Sequence, residues 1–407
     1  MPGALSHIRV LDLSRVLAAP WTGQILADLG AEVIKVERPG VGDDSRAFGP
    51  PWLKDASGQD TAESAYFACA NRGKKSITIN IANAGGQKLV RDLAAKCDVL
   101  LENYKYGDLE RYGLSYADLK KINPRLIYCS VTGFGHSGPW RERPGYDFMI
   151  QGMGGLMSIT GERDDLPGGG PLRAGIPISD LITGMYAAVA VNAALAHRAE
   201  TGRGQHLDLA LLDSTVAVLA NQGANYLATG KPPERIGNAH PNIVPYQAFK
   251  TKDGDMIVAC GNDGQFRKLC ETAGCAALAG EARFATNAKR VENRGELVPL
   301  LAPVFAARST RDWIAALEAA GVPAGPINNL EQVFQEPQAI ARGLRMELPH
   351  PTAGKVSLVR SPMRFSETPV EQGAPPPTLG QHTEEILRGT LKLGDEEIAK
   401  LRALGVI

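Results

Sequence analysis

The sequence predicts an α/β fold, with a doubly wound, mostly parallel sheet in a large domain and a smaller α+β domain. Three observations support this class. Short apolar runs alternate with helical patterns through residues 8–212, which is typical of βαβ units. Several of these runs end in polar, glycine-bearing turns. The composition then changes at GKPP, residues 230–233, where a linker is expected.

The first unit of the large domain is predicted to be a strand, a helix and a strand. Residues 8–13 are apolar, residues 18–29 have apolar side chains at helical spacing before Gly30, and EVIKV at residues 32–36 is the next run. This order predicts two parallel strands joined by a right-handed crossover. The turn between them, DLSRVLAAPWTG, lacks the G-x-G-x-x-G pattern, so an NAD enzyme is not expected.

The later elements are predicted from the same periodicities. Up to residue 228, strands are expected at 77–81, 99–101, 126–131 and 206–212, and helices at 86–95, 116–121, 148–160, 181–198 and 213–228. An Asp-Gly turn then predicts a hairpin of residues 246–250 and 256–260. Further helices are expected at 264–273, 290–306, 310–320, 330–342, 384–388 and 395–404.

Asp180 is the main candidate for chemistry. It follows a glycine-rich loop at residues 161–175 and comes at the predicted start of an apolar helix. Glycine lets backbone approach a ligand closely, and free N–H groups at a helix start stabilise anions. A carboxylate in that setting can act as a nucleophile. The alternative is that Asp180 is an ordinary N-cap, since Asp is a preferred capping residue.

Two groups of cations are candidates for binding phosphate. Arg38 lies at the carboxyl end of a predicted strand, the edge where open α/β sheets bind ligands. Residues 71–76 read NRGKKS before the next strand, which places three cations around a glycine turn. Such cations can hold a multiply charged phosphate group. The alternative for both groups is a solvated surface charge.

Composition restricts the class of protein. The chain has 407 residues and equal numbers of basic and acidic residues, 44 each, so no nucleic-acid partner is expected. Its six cysteines include no C-x-x-C pair, which is typical of reduced thiols in a cytosolic protein. The N-terminus lacks a signal-peptide layout, and no apolar run is expected to approach the ~20 residues that span a bilayer. We therefore expect a cytoplasmic protein without a membrane partner.

Several stretches in order resemble the class III CoA-transferase family, the group of formyl-CoA and carnitine CoA-transferases. They are DLSRVLAAP, GAEVIKVERPG, NRGKKSI, DVLLENY, GYDFMIQ, ISDLITGMYAA, TGRGQHLDLAL and LGQHTEEIL. The resemblance implies an interlaced homodimer whose large domain is built from both termini. The corresponding ranges are 1–224 for the large CoA-binding domain, 225–330 for the small domain and 331–407 for the return to the large domain. Coenzyme A is then a substrate, and neither a tightly bound cofactor nor a metal is expected.

The resemblance also implies the site residues. Asp180 corresponds to the family's nucleophile, which forms an aspartyl anhydride and then an aspartyl-CoA thioester. Backbone of the residues 133–138 or 161–175 loops is expected to stabilise the oxyanions. The positions that correspond to CoA-binding residues are Val16, Leu17, Ala18, Arg38, Asn71, Arg72, Lys74, Lys75, Asn103, Arg111 and Tyr146.

The sequence departs from formyl-CoA transferases in the small domain. Those enzymes carry a run of glycines there, and residues 237–240 and 261–264 contain no such run. The stretch HPNIVPYQAF resembles members that use dicarboxylates with succinyl-CoA as donor. Candidates for binding the second carboxylate are Arg15, Arg173, His240 and Gln265.

Two other functions remain as alternatives. The related α-methylacyl-CoA racemases need a general base, typically a histidine in a G-H-D segment, whereas this chain has Gly145-Tyr146-Asp147. A tyrosine of ordinary pKa is a poor base near neutral pH, which disfavours racemisation. A non-catalytic CoA-binding protein would keep Arg38 and Lys75 without needing Asp180.

Overall fold

The computed structural model describes residues 2–370 and 373–407. Contacts within the chain separate two compact units. The first comprises Met1–Gly154, Gly175–Val218 and Pro337–Ile407, and the second comprises Gly155–Ala174 and Leu219–Glu336. Residues 155–174 thus belong with the second unit. The predicted domain ranges, 1–224, 225–330 and 331–407, also assign a function to each part of the chain. Compactness does not test that assignment, so the ranges stay a prediction.

Helices and strands alternate as expected over residues 9–37 and 74–132, whereas an additional antiparallel pair of strands lies between these two stretches. The strands are β1 Arg9–Asp12, β2 Glu32–Glu37, β3 Trp52–Lys54, β4 Asp60–Ser64, β5 Lys74–Thr78, β6 Val99–Glu102, β7 Ile127–Thr132, β8 His206–Ala210, β9 Tyr246–Lys250, β10 Asp255–Ala259, β11 Ala324–Pro326, β12 Arg345–His350 and β13 Gly354–Val359. The helices are α1 Ala18–Asp28, α2 Ala65–Ala70, α3 Ala84–Ala94, α4 Tyr116–Ile122, α5 Asp147–Met153, α6 Leu156–Ile159, α7 Ile178–Thr201, α8 Leu211–Ala217, α9 Ala220–Thr229, α10 Asp263–Thr272, α11 Ala277–Gly280, α12 Asn287–Glu292, α13 Arg294–Ala306, α14 Thr310–Ala319, α15 Leu330–Gln335, α16 Pro337–Ala341, α17 Thr383–Gly389 and α18 Asp395–Ala403.

The first unit contains a six-stranded sheet in the order β5-β2-β1-β6-β7-β8, and every neighbouring pair is parallel. One face packs on a cluster with residues of α1 and α7, among them Leu26 and Val191. The other face packs on a cluster with residues of α3 and α4, among them Leu93 and Leu119. Helices therefore cover both faces, and the predicted α/β class with a mostly parallel sheet is confirmed.

The second unit is built around the antiparallel sheet β11-β10-β9. Phe249, Met256 and Trp313 lie in its buried cluster. The β9–β10 pairing, with Asp255 opposite Lys250, is the hairpin that the Asp-Gly turn predicted.

Four predicted helices are each interrupted. The helix expected at 330–342 breaks at Glu336, whose ψ of 133° is extended, because a residue before proline is disfavoured in the helical region. The helix expected at 213–228 breaks before Ala220, which has a φ of +44°. The third break divides the helix expected at 148–160 into α5 and α6. The fourth divides the helix expected at 290–306 into α12 and α13.

Candidate active site

A cleft opens where the order of the sheet reverses, between the carboxyl ends of β1 and β6. This is the place where doubly wound sheets bind ligands. A cavity of about 210 Å³ lies there. It is lined by the turn after β1, the segment after β6, the end of β7 and Asp180, and we call it the Asp180 cavity.

Close packing of two helices brings Asp180 to this cleft. A side-chain carbon on Gly184 of α7 would lie 2.5 Å from the carbonyl oxygen of Ala18 in α1, so only glycine permits this approach. Thr22 Oγ1 also donates a hydrogen bond of 3.0 Å to the carbonyl of Gly184. The start of α7 is thereby held against the start of α1.

Asp180 is not the N-cap of α7. The helix begins at Ile178, Pro177 occupies the cap position, and no side chain in the described part of the chain caps it. The N-cap alternative is therefore wrong. The side chain of Asp180 lies in the first turn and lines the cavity.

Asp147, the first residue of α5, takes the position that a capping group would have. Its Oδ1 accepts from the backbone N–H groups of Ser179 at 2.8 Å and Asp180 at 3.4 Å. Its Oδ2 accepts from Nε2 of the buried Gln151 at 2.7 Å. These N–H groups serve Asp147 instead of stabilising the Asp180 anion. The sequence analysis did not predict this role for Asp147, although it named the neighbouring Tyr146 as a site residue.

Burial and the negative charge of Asp147 raise the pKa of Asp180 to about 7. Burial is the larger cause, because a carboxylate loses hydration when it is removed from water. A carboxylate with such a pKa is partly ionised at neutral pH and more basic than an ordinary Asp. Both properties suit a nucleophile that must attack a thioester.

Replacing Asp180 should change how stability depends on pH. The folded chain holds the Asp180 proton up to about pH 7, whereas an unfolded chain releases it near pH 4. The free energy of unfolding should therefore fall as pH rises between these values. Asp180→Asn, which cannot titrate, should be more stable than the unaltered protein by about 1–4 kcal/mol at pH 8 and about equally stable at pH 4. Urea unfolding at the two pH values measures this, and an identical difference at both would contradict the raised pKa.

The residues predicted to bind CoA fall into three groups. Five of them line the Asp180 cavity: Val16, Leu17, Ala18, Asn103 and Tyr146. Arg38 and Arg111 line a second cavity of about 350 Å³, the Arg38 cavity. The two cavities share lining residues, among them Arg15 and Tyr104. The remaining four, Asn71, Arg72, Lys74 and Lys75, line neither cavity.

Those four side chains have intramolecular partners. Lys74 Nζ is fully buried and contacts Asp12 Oδ2 at 2.9 Å and the carbonyl of Pro20 at 2.8 Å, and burial lowers its pKa to about 8. Asn71 accepts from the same ammonium at 2.9 Å. Arg72 pairs with Asp28 at 2.5 Å, and the partly exposed Lys75 pairs with two glutamates. The structure thus gives these residues a role in supporting α1 and the sheet.

The candidates for binding a second carboxylate are not all in one unit. Arg15 lines the Asp180 cavity and pairs with Asp44 at 2.9 Å. The other three, Arg173, His240 and Gln265, belong to the second unit.

Of the two loops expected to stabilise an oxyanion, the first places Gly133 in the cavity wall. Sequence reasoning missed three cations of this wall, Lys105, Arg141 and Arg143.

Helix α7 is long and apolar enough to cross a membrane by length and composition. The expectation that no apolar stretch approaches that length is corrected accordingly. In the structure α7 packs on α1, and its Arg198 pairs with Asp98 at 3.0 Å. Packing inside a folded unit accounts for part of this composition.

Comparisons with known proteins identify the family to which the chain belongs. Residues 5–383 match the model of CoA-transferase family III. The chain is 49% identical to the succinate–glutarate CoA-transferase of Agrobacterium fabrum over 383 residues, which is 94% of each chain. It is 46% identical to the human succinyl-CoA:glutarate CoA-transferase, over 99% of this chain and 90% of that one.

A solved structure has the same architecture. The CAIB/BAIF family protein from Brucella suis superposes with a TM-score of 0.83 at 49% identity, covering 95% of this chain and 99% of that one. The reversal of strand order, the carboxylate at the cleft and these matches agree with one another, and the chain belongs to CoA-transferase family III and is a CoA-transferase.

Proposed function

We propose that this enzyme moves CoA from succinyl-CoA to a small dicarboxylic acid of the glutarate class, with Asp180 as nucleophile. The observation that carries the proposal is the Asp180 carboxylate of raised pKa in the wall of the cavity at the sheet's reversal point. The names of the relatives support the substrate class, since two of them pair succinate or succinyl-CoA with glutarate.

The proposed reaction begins with two acyl transfers. The Asp180 carboxylate attacks the thioester carbon of succinyl-CoA, the carbon–sulfur bond breaks, and a mixed anhydride and CoA thiolate result. The thiolate then attacks the aspartyl carbonyl. This step releases succinate and leaves an aspartyl-CoA thioester.

The acceptor completes the exchange by the reverse pair of steps. Its carboxylate attacks the aspartyl thioester, forming a new anhydride and freeing the thiolate. The thiolate attacks the acceptor's acyl carbon, which yields the new acyl-CoA and restores Asp180. No external base is needed, because each attacking group is already an anion.

Each step passes through an oxyanion, which oriented N–H groups can stabilise by a few kcal/mol. The start of α1 supports this role: Leu17 and Ala18 line the cavity, and no side chain of the described residues caps the helix. Its first N–H groups are therefore available to a ligand. In this proposal the cations that line the cavity, Arg15 among them, attract the free carboxylate of a dicarboxylate substrate.

We propose further that the enzyme is an interlaced homodimer in the cytoplasm. Apolar side chains on α5 and α7 are exposed in the single chain, among them Phe148, Met149, Tyr186 and Val189. These two helices contact each other. Exposed apolar patches mark sites where another molecule binds, and in this proposal that molecule is a second copy of the chain.

Trapping the acyl-enzyme tests this function. After incubation with succinyl-CoA and then hydroxylamine, mass spectrometry should find a hydroxamate at Asp180. In the transfer assay, kcat/KM for glutarate should exceed that for butyrate, which lacks the second charge, by at least about tenfold. Exchange of an α-proton without release of CoA would instead indicate a racemase, and binding without any turnover would indicate a CoA-binding protein.

A further inference from the structure

Val16 has a backbone conformation that its residue type disfavours. Its φ is +69°, in the left-handed region, where a β-branched residue is an outlier. Val16 belongs to the turn between β1 and α1 and lines the Asp180 cavity. Such a conformation persists only where the surroundings hold it.

Asp43 provides one of the contacts that hold this turn. Its Oδ1 accepts from the N–H of Val16 at 3.0 Å. The same oxygen accepts from the N–H and the hydroxyl of Ser45, at 2.9 and 2.8 Å. On the preceding residue, Asn103 accepts from the N–H of Arg15 at 2.8 Å and donates to its carbonyl at 2.6 Å.

Asp43 is itself held rigidly. Its Oδ2 lies 2.7 Å from Lys35 Nζ, and both side chains are fully buried. The ammonium also donates to the carbonyl of Ser14 at 2.8 Å. The backbone N–H of Asp43 donates to Glu37 Oε2 at 2.9 Å. Burial shields this pair from water, and these contacts keep the acceptor oxygen for Val16 in place.

We infer that Asp43 is a positioning residue for CoA transfer: it holds Val16 in the left-handed conformation and so fixes residues 15–17 against the thioester end of acyl-CoA. The inference rests on the proposed function, because it assumes that the thioester lies in the Asp180 cavity. Asp43 acts through the backbone of Val16. An ion pair that only stabilised the fold would have no separate effect on catalysis.

Two double variants separate these roles. K35M/D43N and K35M/D43L both remove the buried ion pair together with its charge, but only asparagine keeps an oxygen that can accept from Val16. The D43L form should have a kcat/KM for acyl-CoA at least about tenfold below that of the D43N form. Adding V16G to the D43L form should recover at least about threefold, because glycine adopts a positive φ without strain.

Recovery by V16G is the outcome that a purely structural role would not produce. Loss of the contact to Ser45 would also lower activity in the D43L form, but a change at residue 16 would not repair it. Equal kcat/KM in the two double variants, or no recovery with V16G, would overturn the inference. Should K35M/D43L fail to fold, V16P and V16G are compared with the ion pair intact. Proline removes the N–H and forces a negative φ, so V16P should be at least about tenfold less active, and equal activity would overturn the inference.

Hydrogen exchange gives a readout that needs no catalysis. The amide of Val16 should exchange faster in the D43L form than in the D43N form, as followed by mass spectrometry of the peptide that covers the turn. Equal exchange of this amide in the two forms would contradict the hydrogen bond between the N–H of Val16 and Asp43. If all variants and the unaltered enzyme exchange as expected but transfer no CoA, the proposed function fails while the role of Asp43 in holding the turn stands.

Discussion

Asp180→Ala should abolish CoA transfer, with a loss of at least about 10³-fold in kcat, because no other group can take the place of the acylated carboxylate. The fold should survive, since Asp180 lies in the wall of a cavity and caps no helix. The measurement is the transfer of CoA from succinyl-CoA to glutarate, with circular dichroism as a check on folding. No hydroxamate should form in this variant.

Glu102→Gln is the matched control for this experiment. Burial raises the pKa of Glu102 to about 7 as well, yet the residue lines neither the Asp180 cavity nor the Arg38 cavity. Its replacement tests whether the loss of another buried carboxyl group of raised pKa lowers CoA transfer as much as the loss of Asp180 does. Turnover by Asp180→Ala at a rate close to that of the unaltered enzyme would remove Asp180 from the mechanism.

Arg38→Ala should weaken the binding of CoA by about 10–100-fold, the loss expected for one charge-assisted contact to a phosphate. Arg38 is exposed, lines the Arg38 cavity and, within the described part of the chain, pairs with no carboxylate. Its guanidinium is thus available to a phosphate group. Titration calorimetry with CoA at two salt concentrations measures the effect, which should shrink at high salt.

Arg388→Ala is the control for Arg38→Ala. Arg388 is also a surface arginine, but it pairs with Glu384 and Asp395 and lines neither cavity. The Kd for CoA should be the same as in the unaltered enzyme. An unchanged affinity in Arg38→Ala as well would mean that Arg38 is a solvated surface charge, the alternative considered from the sequence.

Local patterns predicted most of the sheet. The apolar run at residues 8–13 becomes β1, and EVIKV becomes β2, because a strand buried on both faces needs consecutive apolar residues. Pro337 is a local signal for the break at Glu336, although the periodicity predicted one unbroken helix at residues 330–342. By contrast, no local signal marked the break before Ala220.

The site was less accessible to sequence reasoning, because its contacts are distant along the chain. Asp180 reaches the turn at Val16 only through the close approach of Gly184 to Ala18. Lys74 looked like one of three surface cations, but Asp12, 62 positions away, holds it in the interior. Periodicity cannot reveal such pairings. The resemblance to a family named the residues of the proposed site and left their individual contacts undetermined.

The core of the large unit is completed by residues that come late in the chain. Ile386, Leu387 and Ile398 pack in the same cluster as Leu11 and Ile34 of the first two strands. During translation the ribosome therefore releases the sheet and the entire second unit before these side chains are made. One face of the nascent sheet stays partly uncovered in that interval, and exposed apolar surface of this kind makes a chain dependent on chaperones.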